Sequence, residues 1–308
     1  MKTGRYRAKI KNKKCPAIRD GNRREQNLPN VKITADSTCD LSKPLLRKYD
    51  ISISPLYINM DGKAYKDGLE IRPEDLYAYA DRTGQLSKTS AVTVQDYLDL
   101  FSSYVLAGRS VVHLTMSSEM SSCYQNAVYA AKEVGNVYVV DSRNLSTGIG
   151  HLAILAAELA AKSVAAQDIK QSLDVQKERL ETSFIVNTLK YLHKGGRCSS
   201  VAALGANLLS LKPCIEVRNG EMTVGKKYRG SLEKCLEAYI IDRLKGRDDI
   251  DFRRCFISHS ALPDGIVEDV HKLTAKLVPF EEILETDTGC TICNHCGPGT
   301  LGIIFFRK

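Results

Sequence analysis

Five clusters of hydroxyl and charged residues stand out in the 308-residue chain. They are Asp36-Ser37-Thr38, Lys88-Thr89-Ser90, the run from Ser117 to Tyr124, Gly195-Gly196-Arg197-Cys198-Ser199, and His295-Cys296-Gly297-Pro298-Gly299. Each falls where an apolar run meets a helix-forming one or a strand. Ligands of open α/β sheets sit at such junctions, because helix starts present free N–H groups to anions. Taken singly, a Ser or Thr before a helix is an ordinary cap, and Gly195-Gly196 an ordinary tight turn. Together the clusters offer hydroxyls, one guanidinium and one imidazole, without a neighbouring pair of carboxyls. That set suits holding a carboxylate or phosphate. It does not suit acid–base work on a glycoside, which needs two positioned carboxyls.

The elements that must position these clusters alternate between strand and helix. Residues 31–35 read as a strand, Ser42 and Pro44 open a short helix, and residues 51–60 are extended. Asp61-Gly62 marks a hairpin leading into residues 63–65, and Pro73 starts a helix through Tyr79. Thr93 caps a helix whose Tyr97, Leu100, Phe101 and Tyr104 share one face. Residues 110–116 form a buried-type strand, 121–134 a helix, 137–140 a strand and 148–163 a helix. This order predicts a parallel sheet covered by helices. A charged helix over 166–181 leads into a second unit. There a strand begins at Phe184 and Asn219-Gly220 makes a hairpin. Helices follow at 232–244 and 266–277, with strands at 254–258, 282–284 and 301–306. The expectation is an α/β chain of two units, residues 31–165 and 166–308, the second with a mixed sheet.

Composition narrows the function classes. Ten Lys and Arg against Asp20 and Glu25 in residues 1–30 account for the whole net charge of +8. The body is therefore neutral, which argues against a nucleic-acid-binding protein, and the first thirty residues read as a basic, poorly ordered extension. The most apolar stretch, 148–166, carries His151, Glu158 and Lys162 and reads as a soluble helix rather than a membrane span. Ten scattered cysteines without an apolar leader predict reduced thiols and a cytoplasmic location.

In their order and spacing the clusters resemble the DegV family. The residues that carry the likeness are Asp36-Ser37-Thr38, Thr89-Ser90, the stretch Ser118 to Ala127, Gly195-Gly196-Arg197, and His295 to Gly299. The resemblance covers roughly residues 31–308. It implies a two-domain DegV-like fold with a long-chain fatty acid held between the domains. It also implies a carrier without catalytic residues, metal or cofactor, serving as the fatty-acid-binding subunit of a bacterial fatty-acid kinase. Carried over residue by residue, Thr89 and Ser121 would donate hydroxyl hydrogen bonds to the carboxylate, with Ser90 beside Thr89. Arg197 would supply positive charge, and His295 a further donor. The chain departs from the family pattern at Ser122-Cys123, where Gly-Thr is expected, and at Val92, where Pro is usual.

Two other chemistries use the same residues. Ser121 as nucleophile with His295 as base would make a serine hydrolase, although no Gly-x-Ser-x-Gly elbow surrounds Ser121. Cys290, Cys293 and Cys296, with His295, could supply a metal shell. If the segment is extended, however, alternate side chains point to opposite faces and do not converge.

Overall fold

The computed structural model describes residues 30–202 and 211–308. The basic extension expected at residues 1–30 lies outside them apart from Asn30. Strands β1 (Val31–Asp36), β2 (Ile51–Ser54), β6 (Ser110–Thr115) and β7 (Val137–Asp141) form an all-parallel sheet in the order β2-β1-β6-β7. Both its faces are buried, as a parallel sheet requires, and the face beneath Tyr97 and Phe101 also encloses Thr34, His113 and Asp36, which pair with one another. Helices α3 (Val94–Val105) and α4 (Cys123–Val134) pack Tyr97, Phe101 and Ala127 against Val111 and Val139. On the other face, α5 (Thr147–Ala161) and α6 (Ala166–Gln176) bury Leu152 and Leu173 with Val112, Leu114 and Val140. Neighbouring strand residues thus serve opposite cores.

The second sheet has six strands: β8 (Leu180–Ile185), β9 (Leu211–Arg218), β10 (Glu221–Arg229), β11 (Ile250–Ser260), β12 (Ile283–Asp287) and β13 (Thr300–Arg307). Their order is β10-β9-β8-β13-β11-β12, and only the β11–β12 pair is parallel. Helices α9 (Leu232–Leu244) and α10 (Ile266–Leu277) share a core with β11 and β13. A small antiparallel sheet joins β3 (Tyr57–Met60), β4 (Lys63–Lys66) and β5 (Lys88–Ser90). The remaining helices are short or peripheral: α1 (Lys43–Lys48), α2 (Pro73–Thr83), α7 (Lys190–Gly195), α8 (Ser199–Ala202) and α11 (Cys290–Cys296).

Where the chain differs from expectation, the reasons are local. Residues 51–60 are two strands in different sheets, divided at Pro55, which lacks the N–H a continuous ladder needs. Residues 88–90, expected as loop, are strand β5, because Ile58 and Tyr57 pair with Thr89 and Ser90. The charged helix stops at Gln176, so β8 begins at Leu180 rather than at Phe184. Ser42 occupies the cap position of α1 without a side-chain hydrogen bond. Thr93 does cap α3, accepting from the Asp96 N–H at 3.2 Å.

Helix α5 lies between the two larger sheets. Residues 147–154 of it are all buried except at the level of a few per cent, and one apolar cluster joins Ile33 and Leu114 of the first sheet to Phe256, Ile304 and Phe306 of the second. Its small residues permit this closeness: a Cβ on Gly150 would press on the Cys39 carbonyl and Leu41. His151 bonds the Ile304 carbonyl at 3.0 Å and meets Phe256 edge-on. Burial holds its ring neutral, at about 3. Truncating Leu152 to Ala leaves a cavity in this shared core. The expected loss is about 2–5 kcal/mol, measured by denaturant unfolding at unchanged slope.

Candidate ligand-binding site

The site is assembled from four distant segments. Strand β5 presents Thr89, held in register by β3. The turn before α4 presents Ser121, whose Oγ donates to Cys123 Sγ at 3.2 Å and accepts from the Cys123 N–H at 3.3 Å. Gly196, in the left-handed region at φ 67°, ends α7 and turns the chain so that Arg197 follows. Arg197 donates to the Gly195 carbonyl at 2.9 Å and to that of Met120 at 3.5 Å. Helix α11 presents His295 near its end, packed against α2, α7, β3 and β5.

These side chains meet in one cavity. Thr89, Ser90, Ser121, Arg197 and His295 line its polar part, and Leu56, Met116, Met120, Leu145, Met222 and Ile292 its apolar part. The five residues singled out in the sequence are therefore neighbours in space. His295 Nε2 lies 2.9 Å from Thr89 Oγ1, while buried Nδ1 has no hydrogen-bond partner and faces Gly195. A proton on Nδ1 would be a buried donor without an acceptor, so the proton belongs on Nε2, donated to Thr89. That leaves the Thr89 hydroxyl hydrogen free for a ligand. In this geometry the imidazole donates to Thr89, whereas the resemblance implies a donor to the ligand's carboxylate. Burial, aided by the Arg197 charge, pulls the His295 ring down to about 4. Among the described residues no carboxylate pairs with Arg197, whose guanidinium is exposed at the cavity mouth.

The rival chemistries find no geometry here. Among the described residues no hydrogen bond joins Ser121 to His295, and no carboxylate orients the free ring nitrogen. Residues 290–296 are helical rather than extended, which the sequence reading did not anticipate. The Cys290 and Cys293 thiols donate to the Ile71 and Thr288 carbonyls, and burial pushes Cys293 up to about 12. Among the described residues no group of three or more His, Cys, Asp or Glu could hold a metal ion.

Several residues that build the site escaped the sequence reading. Asp40 and Asp67 meet the start of α11, and Ser87 donates to Asn294 Oδ1 on that helix at 2.5 Å. The only hint in the sequence was an acid shortly after the first strand and another just after the Asp61-Gly62 hairpin, common positions on any surface. Asp36, part of the first cluster, is fully buried and accepts from Tyr97 Oη at 2.6 Å and the Met116 N–H at 3.0 Å. It supports the loop that leads to Ser121 rather than facing the cavity.

Comparison with known proteins agrees with this architecture. A family profile described as uncharacterised protein, DegV family, matches residues 30–308. The chain belongs to the DegV family. It is similar to a DegV domain-containing protein of Clostridium acetobutylicum, 31% identical, over 91% of this chain and 100% of that protein. A protein of Thermotoga maritima named fatty acid-binding protein is 33% identical, over 88% of this chain and 96% of its own. A solved DegV family structure from Thermus thermophilus, described for its fatty acid binding, superimposes with a TM-score of 0.80 at 28% identity, covering 90% of this chain and 99% of that one.

The neutral ring has a measurable consequence. A histidine depressed in the folded state stabilises fully above its unfolded value near 6.5, and that stability is lost as pH falls towards the folded value. NMR signals of the His295 ring should stay flat between about pH 8 and pH 5, whereas a solvated ring would titrate near 6.5.

Proposed function

We propose that this chain binds one long-chain fatty acid with its carboxylate at the polar end of the cavity. The observation that carries the reading is the division of that cavity. The hydroxyl residues Thr89, Ser90 and Ser121 gather at one end with a guanidinium that has no carboxylate partner among the described residues, and aliphatic and thioether side chains line most of the rest. A carboxylate is tolerated in such a place only if donors meet it, and Thr89, Ser121 and Arg197 are such donors. The tail supplies affinity: at about 0.8 kcal/mol per buried methylene, fourteen methylenes offer roughly 11 kcal/mol before entropic costs. The described cavity has about 40 Å³ open to water-sized molecules. Pockets for ligands of this size span about 300–1,000 Å³, so the lining must give way to admit a tail. Met116, Met120 and Met222, three of the five methionines in the chain, are the side chains best able to do so.

In this reading the protein carries its ligand without turning it over, and presents the carboxylate to a separate kinase that forms the acyl-phosphate. Arg197 at the mouth would face both the head group and the incoming phosphoryl group. Among the described residues no helix is long and apolar enough to cross a membrane, and nine cysteines are free and buried. Free thiols suit a reducing, cytoplasmic setting.

Denaturing extraction of the purified protein, followed by mass spectrometry, should release about one fatty acid per chain. Arg197→Ala and Ser121→Ala should weaken palmitate binding about tenfold or more, and impair acyl-phosphate formation with the partner kinase. Protein that carries no lipid and takes up none when it is added would overturn the proposal.

A further inference from the structure

Helix α11 begins against residues that stand more than two hundred positions earlier, and its first N–H groups go to carboxylates. Asp67 accepts from the Cys290 N–H at 2.8 Å, the Thr291 N–H at 3.1 Å and Thr291 Oγ1 at 2.7 Å. It also accepts from Ser37 Oγ at 3.1 Å. Asp40 accepts from the Gly289 N–H at 2.9 Å and from Ser146 Oγ at 2.6 Å. The two acids are 3% and 6% exposed, and among the described residues neither has a Lys, Arg or His ion-pair partner. Their carboxyl groups are therefore met by N–H and O–H donors at the start of the helix rather than by a cationic side chain.

This arrangement is maintained against local cost. Asp40 and Ser146 both have positive φ, 49° and 50°, a region that non-glycine residues enter only when surrounding contacts hold them. Burial pushes the Asp40 carboxyl up to about 8, with Asp67 adding to the effect. A capping role alone could be filled at far lower cost by a Ser or Thr at the helix start.

What α11 delivers lies at its other end. His295 stands four residues after Thr291, about one helical turn along, and its Nε2 reaches Thr89 at 2.9 Å. Helix α11 packs against β3 and β5, the strand that bears Thr89, and its register on them depends on the contacts that tie it down. Asp67 and Ser87 supply those ties from the same side as Thr89. We propose that Asp67, with Asp40 beside it, is a positioning residue for the head-group site: it fixes α11 so that His295 orients the Thr89 hydroxyl towards a bound carboxylate. This rests on the carboxylate reading of the cavity given above.

The test compares palmitate with methyl palmitate, which share a tail and differ in the charged head. The wild-type protein should prefer the acid. Asp67→Asn places an amide NH₂ among donors that need an acceptor, and should reduce that preference about tenfold while ester affinity holds. It should also move the NMR signals of the His295 ring. Thr291→Val, which removes one of the Asp67 hydrogen bonds at nearly constant shape, should act in the same direction to a smaller extent, and serves if Asp67→Asn does not fold. Equal loss of acid and ester binding would assign Asp67 to stability alone and overturn the proposal, as would an unchanged preference. A wild-type protein without any preference for the acid would instead overturn the carboxylate reading on which the proposal stands.

Discussion

A carboxylate survives burial only where enough N–H and O–H groups converge on it, since the desolvation of a lone charge outweighs any packing gain. Helix α11 meets that condition for the protein itself. Its opening N–H groups satisfy Asp67, and the preceding glycine N–H satisfies Asp40. At its far end the same helix carries the imidazole that sets the Thr89 hydroxyl. One short element thus links the protein's own buried acids to the group proposed to receive a ligand's acid. The polarity of the helix suits the carboxyl groups at its start, while at its finish burial and the Arg197 charge keep the ring neutral against the pull of the helix end.

The sheets that hold α11 are themselves coupled. Helix α5 fills the space between them with alanines and glycines that let the backbones approach, and a single apolar cluster runs through it. A second tie comes from the β9–β10 hairpin. Its turn residue Gly220, at φ 81°, accepts from Ser117 Oγ at 2.6 Å, and a side chain there would strike Ser117 and Arg143. Arg143 donates to the neighbouring Asn219 carbonyl and pairs with Glu119 at 2.7 Å. The loop that bears Ser121 is therefore pinned from the second sheet. The cavity's shape follows from the packing of both halves, not from either alone.

How much of this the sequence disclosed depended on the range of the interaction. The hairpins at Asp61-Gly62 and Asn219-Gly220 were legible because backbone φ at a tight turn is a two-residue property, and both form as expected. The capping box at Thr93 and Asp96 is equally local. Strand β5 was not legible, since Lys88-Thr89-Ser90 is extended only because β3 lies beside it. The helix at residues 290–296 was hidden by its own composition: Thr291 and Ile292 favour strands, and three cysteines at every third position suggested a metal shell. The acceptors that meet its cap and first turn come from Asp40 and Asp67, 249 and 223 positions away. The five cavity residues could be singled out by type and by resemblance, while the acids that hold them in place look like any surface aspartate until the chain is folded.

That separation along the chain sets an order of events during synthesis. Asp40 and Asp67 leave the ribosome long before residues 289–291, and until then their carboxylates have only water and nearby hydroxyls as partners. The first sheet can pair and collapse in the meantime, because its strands are all complete by Asp141. The polar end of the cavity cannot, since His295 and the N–H groups that anchor its helix are translated together at a late stage. On the carboxylate reading proposed above, a nascent chain completes its first sheet before it has a place for an anion, and capture of a ligand by its head group awaits the docking of α11.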